Sequence, residues 1–125
     1  SDAKVALADI EIEKILLFNQ KEKIKPVGEV EQISFYSNKI RDQIMMNWKP
    51  PTSTRSGMKS ELTIVLVPTG EIIEVRITLE SGNEAFDRSA LTAVKKVGRF
   101  EGLKMSRKLF DDHFRLFTLI FNPQD

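Results

Sequence analysis

Residues 61–79 leave the chain little choice of fold. Glu61 to Val67 is rich in β-branched residues and sets Leu62, Ile64 and Leu66 on one face. Pro68-Thr69-Gly70 follows; proline presets φ early in a turn and glycine supplies a positive φ late in it. Glu71 to Leu79 then alternates, with Ile73, Val75, Ile77 and Leu79 facing one way and Glu74, Arg76 and Thr78 the other. Two such runs across a tight turn predict an antiparallel hairpin with one buried face. Some other part of the chain must cover that face.

The covering elements are predicted on either side. Between about 29 and 48, Val30, Ile33, Tyr36, Ile40, Ile44 and Trp48 recur in steps of three and four, the spacing of one helix face. Pro50-Pro51 cannot continue that helix, and residues 52–57 form a polar loop. After the break at Ser81-Gly82-Asn83, a helix over 84–97 buries Phe86, Ala90, Ala93, Val94 and Val97. Asp87 near its start and Lys95-Lys96 near its end suit the helix dipole, and Gly98 stands where a C-cap glycine belongs. Ser106 caps a short helix over 106–113, and 115–121 is a strand stopped by Asn122-Pro123. Upstream, Ala8, Ile12, Ile15 and Leu16 predict an N-terminal helix within 1–19, although Ile10 and Ile12 also fit a short alternating run. Gln20 to Gly28, with three lysines and Pro26, is a linker or turn.

The predicted class is therefore α+β: a three-stranded antiparallel sheet (about 59–67, 71–79 and 115–121) on helices at about 29–48, 84–97 and 106–113, with a further helix at the N-terminus. At 125 residues this is one domain, with 1–28 as helix and linker and 29–125 as core. If the helix over 84–97 returns the chain across the sheet, the last strand runs antiparallel beside the first. The order is then second, first, third, with the third at an edge.

Chemistry is scarce. The chain has no cysteine, which removes a disulfide framework, a thiolate metal site and a cysteine nucleophile. His113 is the only histidine, and no metal-ligand spacing accompanies it. Asp111-Asp112-His113 suggests a base with neighbours, yet adjacent residues on a helix do not face one another, so a solvated helix end is the favoured reading. All six glycines are isolated, so no phosphate loop exists. Nothing marks a carboxylate pair, a cofactor or a metal, and we expect no enzyme. A net charge of +1 argues against nucleic acid or an anionic membrane as the main partner. Lys21, Lys23 and Lys25 read as a solvated linker face. The longest apolar run, Ile15 to Phe18, is far short of the roughly 20 residues that span a bilayer. The chain opens at Ser1 without methionine, and we expect a longer protein with any anchor or targeting segment outside it.

The last strand is the informative one. Leu116, Phe117, Leu119, Ile120 and Phe121 make it apolar on both faces, and beyond Arg115 it has no lysine, proline or inward charge of the kind that blunts an exposed edge. Either another element such as 1–19 covers it, or the edge accepts a strand from a partner.

Several runs resemble the C-terminal domain of the TolA family, within the TolA/TonB C-terminal superfamily. They are Trp48-Lys49-Pro50-Pro51, Ser56-Gly57-Met58, Val67-Pro68-Thr69-Gly70-Glu71-Ile72, Glu80 to Ala90, Val97-Gly98-Arg99 and Ile120-Phe121-Asn122-Pro123. The resemblance covers about 44–125 and is nearest the pseudomonad type; enteric members carry a cysteine pair that this chain lacks. It implies a periplasmic third domain on a long stalk anchored in the inner membrane of a Gram-negative bacterium. TolQ and TolR would drive it with the proton-motive force, and it would bind the N-terminal segment of TolB by strand addition. Pal, colicins and a filamentous-phage adhesion protein are further partners that the resemblance implies, with the isolated domain monomeric. By position, the acceptor strand is Arg115, Leu116, Phe117, Thr118, Leu119, Ile120 and Phe121. The rival within the superfamily is a TonB-type domain engaging TonB-box segments of outer-membrane transporters.

Overall fold

The computed structural model describes residues 28–123 and the backbone of Ala3–Leu7. Strand β1 (Ala3–Leu7) is followed by helix α1 (Glu29–Asn47), the hairpin β2 (Ser60–Leu66) and β3 (Ile72–Leu79), helix α2 (Glu84–Val97), a short helix α3 (Arg107–Leu109) and strand β4 (Leu116–Pro123). The strands form one antiparallel sheet in the order β1-β4-β2-β3.

The three expected strands and both long helices are present, and β4 lies beside β2 as the connectivity requires. Two expectations need correction. The first concerns the N-terminus, where the sequence predicts a helix within 1–19 and a linker over 20–28: Ala3–Leu7 is a strand, and the rest of the predicted helix and the linker up to 27 lie outside the described residues. Along β4, Ala3–Leu7 finds a row of backbone partners that holds it extended. The second follows from it: β4 is an inner strand, because β1 pairs along its outer side.

Both α1 and α2 pack on one face of the sheet. Ile40 and Ile44 of α1 and Phe86, Ala90 and Val94 of α2 meet Leu62, Ile64 and Leu66 of β2 and Phe117, Leu119 and Phe121 of β4, all buried. Trp48, at the end of α1, closes this core. Its ring lies 4.9 Å from Phe121 and 5.8 Å from Phe86, both edge-on, and its Nε1–H donates to Ser89 Oγ at 3.0 Å. A buried indole keeps its N–H bonded in this way. Val30, expected on the buried face of α1, is half exposed, while Ser34 and Ser37 are buried in its stead.

Helix α2 begins and ends where its sequence says. Asn83 Oδ1 accepts from the Phe86 amide at 3.1 Å, and Gly98, at φ 68°, donates its amide to the Val94 carbonyl at 3.2 Å. Asp87 is buried and accepts from the Ser81 amide, fixing the Ser-Gly-Asn break to the first turn of the helix.

The hairpin departs from its predicted alternation. Register shifts between Glu61 and Leu62 and between Val65 and Leu66 insert an extra residue into β3 at each end. Such bulges swap the faces of a strand. Ile72, Val75 and Ile77 therefore share the core side, opposite Leu66, Ile64 and Leu62, while Ile73 (59% exposed) and Leu79 (41%) face outward. Gly70 makes the turn possible. Its φ is +94°, and a Cβ there would sit 2.3 Å from the Phe100 carbonyl oxygen, which tucks against the turn because the Phe100 amide donates to Gly70.

Candidate partner-binding edge

The candidate site is β4, and the turn before it sets where it starts. Ser106 Oγ caps α3 by accepting from the Leu109 amide at 3.1 Å. The helix then widens into one π turn over Phe110–Phe114, closed by a hydrogen bond from the Arg115 amide to the Phe110 carbonyl at 2.8 Å. The expected helix over 106–113 is thus two short pieces. The wider turn buries both Phe110 and Phe114, and Phe114 stacks edge-on with Tyr36 and Phe117. Tyr36 in turn donates its hydroxyl to the Lys104 carbonyl.

Two ion pairs and a histidine–carboxylate hydrogen bond hold this turn. Arg115 makes two bonds to Asp111 Oδ1, at 2.7 and 3.0 Å, and lies over the Phe110 ring. Lys108 Nζ lies 2.6 Å from Asp112 Oδ2. The hydrogen bond from Lys108, and then its charge, hold the Asp112 carboxyl below its usual range, and the same bond holds the Lys108 ammonium above its own. His113 Nε2 is 2.8 Å from Glu29 Oε2, which ties the turn to the first turn of α1. Each member of the Asp111-Asp112-His113 run therefore has a different partner, and no nucleophile, base and orienting group line up. Glu29, Asp112 and His113 bring one ligand atom each within 4.8 Å of one another, but the Lys108 ammonium already occupies Asp112.

From Leu116 onward the chain alternates sharply. Phe117, Leu119 and Phe121 are buried in the core, whereas Thr118 and Ile120 are half-buried on the face away from α1 and α2 and Leu116 is 59% exposed. Thr118 stands opposite Thr63 of β2, their hydroxyl oxygens 3.5 Å apart, and Thr63 also donates to Thr78 of β3 at 3.4 Å. Of the seven acceptor residues expected from sequence, Arg115 lies in the turn, where its carbonyl accepts from the Leu66 amide at 2.8 Å. The other six are consecutive in β4. Three of those, Phe117, Leu119 and Phe121, have no side chain to offer a partner. What β4 presents sideways is backbone, with Leu116, Thr118 and Ile120 on one side of it.

The inner side of that backbone is taken by β2, from Ser60↔Phe121 to Val65↔Leu116. The outer side is paired with β1 in an unbroken antiparallel register, Ala3↔Pro123, Lys4↔Asn122, Val5↔Phe121, Ala6↔Ile120 and Leu7↔Leu119. Sequence reasoning missed this strand. The signal was the alternation of Ala3, Val5 and Leu7 with Lys4 and Ala6, five residues that a search for helical spacing passes over.

The chain resembles known proteins at three levels. Residues 33–108 match the family model for the TonB C-terminal domain. By sequence the chain is 37% identical over 87 residues to the Tol-Pal system protein TolA of Pseudomonas aeruginosa. That alignment covers 69% of this chain and 25% of the relative, so the chain spans about a quarter of that protein's length. By structure it is similar to TolAIII in a solution NMR structure bound to a peptide derived from the N-terminus of TolB. The TM-score is 0.66 and the identity 35%, over 70% of this chain and 72% of that one.

Proposed function

The chain belongs to the TonB C-terminal family, and on that premise we propose that it is the TolB-binding domain of a Tol-Pal envelope system. It takes up the N-terminal segment of TolB as an added strand on the outer edge of β4, over Leu116 to Phe121 with Arg115 at the threshold. The observation that carries this reading is the state of that edge. Beyond Arg115 β4 is uncharged and free of register shifts, and an extended antiparallel strand already pairs in register with Leu119–Pro123. Main-chain hydrogen bonds then supply much of the affinity, and Leu116, Thr118 and Ile120 supply selectivity. The two relatives named above support TolB as the partner.

In this reading the domain is a non-enzymatic module, one unit whose core is 29–125, and it works in the periplasm. No helix among the described residues is long and apolar enough to cross a membrane. TolQ and TolR are proposed as partners of the membrane part of a TolA-type protein. Pal, colicins and phage adhesion proteins are further candidates for the same domain.

The test is an amide-shift NMR titration with a peptide from the cognate TolB N-terminus, alongside a TonB-box peptide. Saturable shifts centred on Leu116–Phe121 with the TolB peptide are expected. Preference for the TonB-box peptide would move the chain to the TonB branch of the family. Thr118→Pro, provided it folds, removes a β4 amide; unchanged TolB affinity in that variant counts against strand addition here.

A further inference from the structure

We propose that β1 is an internal stand-in for the partner strand. Ala3–Leu7 occupies the outer edge of β4 in the free chain, and it leaves that edge when TolB pairs there. This inference rests on the reading of β4 given above and concerns how that site is regulated.

A strand has two edges and each carries one neighbour. One edge of β4 is committed to β2 along the length of the hairpin, and β2 is locked in turn by β3. The other is filled by β1 opposite Leu119–Pro123. A segment pairing with Leu119, Ile120 or Phe121 from outside needs backbone groups that β1 now holds, so the two cannot bind together at those residues.

The exchange is feasible because β1 is held weakly compared with the strands behind it. It is five residues long and, among the described residues, is paired along one side only, at the end of the sheet. A strand so short and one-sided is marginal alone. What keeps it in place is its tether: it belongs to the same chain, so it acts at an effective concentration of about millimolar. A partner present at lower concentration must therefore bind better per residue, or the tether must be pulled. The apparent affinity for the partner falls by the fraction of chains whose edge is vacant. Unfilled, the β4 edge would be an uncharged template for pairing with any extended chain, and β1 covers it until the intended segment arrives.

Two full-length variants test this without disturbing 28–119. Val5→Pro with Ala6→Pro removes two successive amides. Because successive amides point to opposite sides of a strand, one of those lost faces β4 whatever the local phase. Lys4→Cys with Asn122→Cys places thiols at register partners outside the acceptor stretch in a chain that has no other cysteine, so oxidation fastens β1 to β4. We expect the proline variant to bind the TolB N-terminal peptide about 3- to 10-fold more tightly than the parent. The oxidised cysteine variant should bind at least about 10-fold more weakly, with recovery on reduction. Equal affinity in the parent, the proline variant and the oxidised variant would overturn the stand-in role and leave TolB binding intact, the peptide then adding outside β1 or elsewhere. Binding by none of them would remove the TolB reading, and the stand-in role with it.

Discussion

The two sides of this sheet are protected in opposite ways. On the β3 side the protection is built into the strand. Register shifts at each end break its alternation, Glu74 and Arg76 place charges along it, and the chain after α2 caps its start, where the Ile72 amide donates to the Gly98 carbonyl at 2.9 Å and Glu71 bridges to Arg99. On the β4 side none of these devices is present. Beyond Arg115 the strand is uncharged through Pro123 and its pairing with β2 runs without a shift. Its cover is a separate five-residue strand. Bulges and charges belong to the strand they protect, whereas a separate paired segment closes an edge only for as long as it stays paired. A fold that needs to accept a strand can therefore afford one blunted edge and must leave the other regular.

Regularity at β4 requires firm support from behind, and this is where the largest contrast between the two sides is expected. Phe121 packs on Trp48 and is fully buried, so Phe121→Ala should cost about 3–5 kcal/mol. Ile73, 59% exposed on β3, has little to lose, and Ile73→Ala should stay within about 0.5 kcal/mol. Urea denaturation of both variants measures the difference. Similar costs would mean that β4 is no better anchored than β3.

Much of this was legible in the sequence, and what was not has a common cause. Local signals sufficed for the span of α2 and its C-cap Gly98, and for the Pro68-Thr69-Gly70 turn. The pairing of β4 beside β2 followed from connectivity. The failures involve choices that only a neighbouring strand can make. Ile73 and Ile72 are equally apolar, and the shift opposite Val65 and Leu66 decides which of them faces the core. Ala3–Leu7 is too short to carry a periodicity of its own, and β4 gives it a partner. The seven-residue acceptor stretch came from resemblance and from double-sided apolarity. The sequence could not separate Phe117, Leu119 and Phe121, which serve the core, from Leu116, Thr118 and Ile120, which do not.

The protection of β3 can be loosened at its turn. Gly70→Ala combines an unfavourable positive φ with a clash against the Phe100 carbonyl, and should cost at least about 2 kcal/mol. Because Phe100 donates back to Gly70, the loop that caps β3 should loosen with it. Hydrogen exchange should then rise at Ile72 ahead of the β4 amides; equal acceleration on both sides would show that the cap is not a local device. A subtler change removes the charges. Glu74→Val with Arg76→Val leaves both bulges in place, so stability should move by no more than about 1 kcal/mol. Sedimentation should reveal concentration-dependent self-association, while TolB-peptide affinity at β4 stays the same. A variant that remained monomeric would assign the protection of β3 to its bulges and the cap at its start.

The smallest effect concerns the approach to β4. Lys108 and Asp112 pair at 2.6 Å on the turn that launches the strand, and the hydrogen bond from Lys108 holds the Asp112 carboxyl below its usual range. Because that pKa is lower in the folded chain than in the unfolded one, the pair stabilises the fold at neutral pH. Its contribution is lost as pH falls through the depressed value, when the folded chain must also take up the proton. The pair is open to solvent, so the loss should be slight and further reduced by salt. Carboxyl-carbon NMR shifts across an acid titration should show Asp112 protonating at lower pH than an ordinary aspartate, and Lys108→Met should return it to the usual range. If Asp112 titrated normally in the parent chain, the ion pair would not be holding the turn. The start of β4 would then depend on the Arg115–Asp111 pair and the buried Phe110 and Phe114, with the regularity of the edge set by packing.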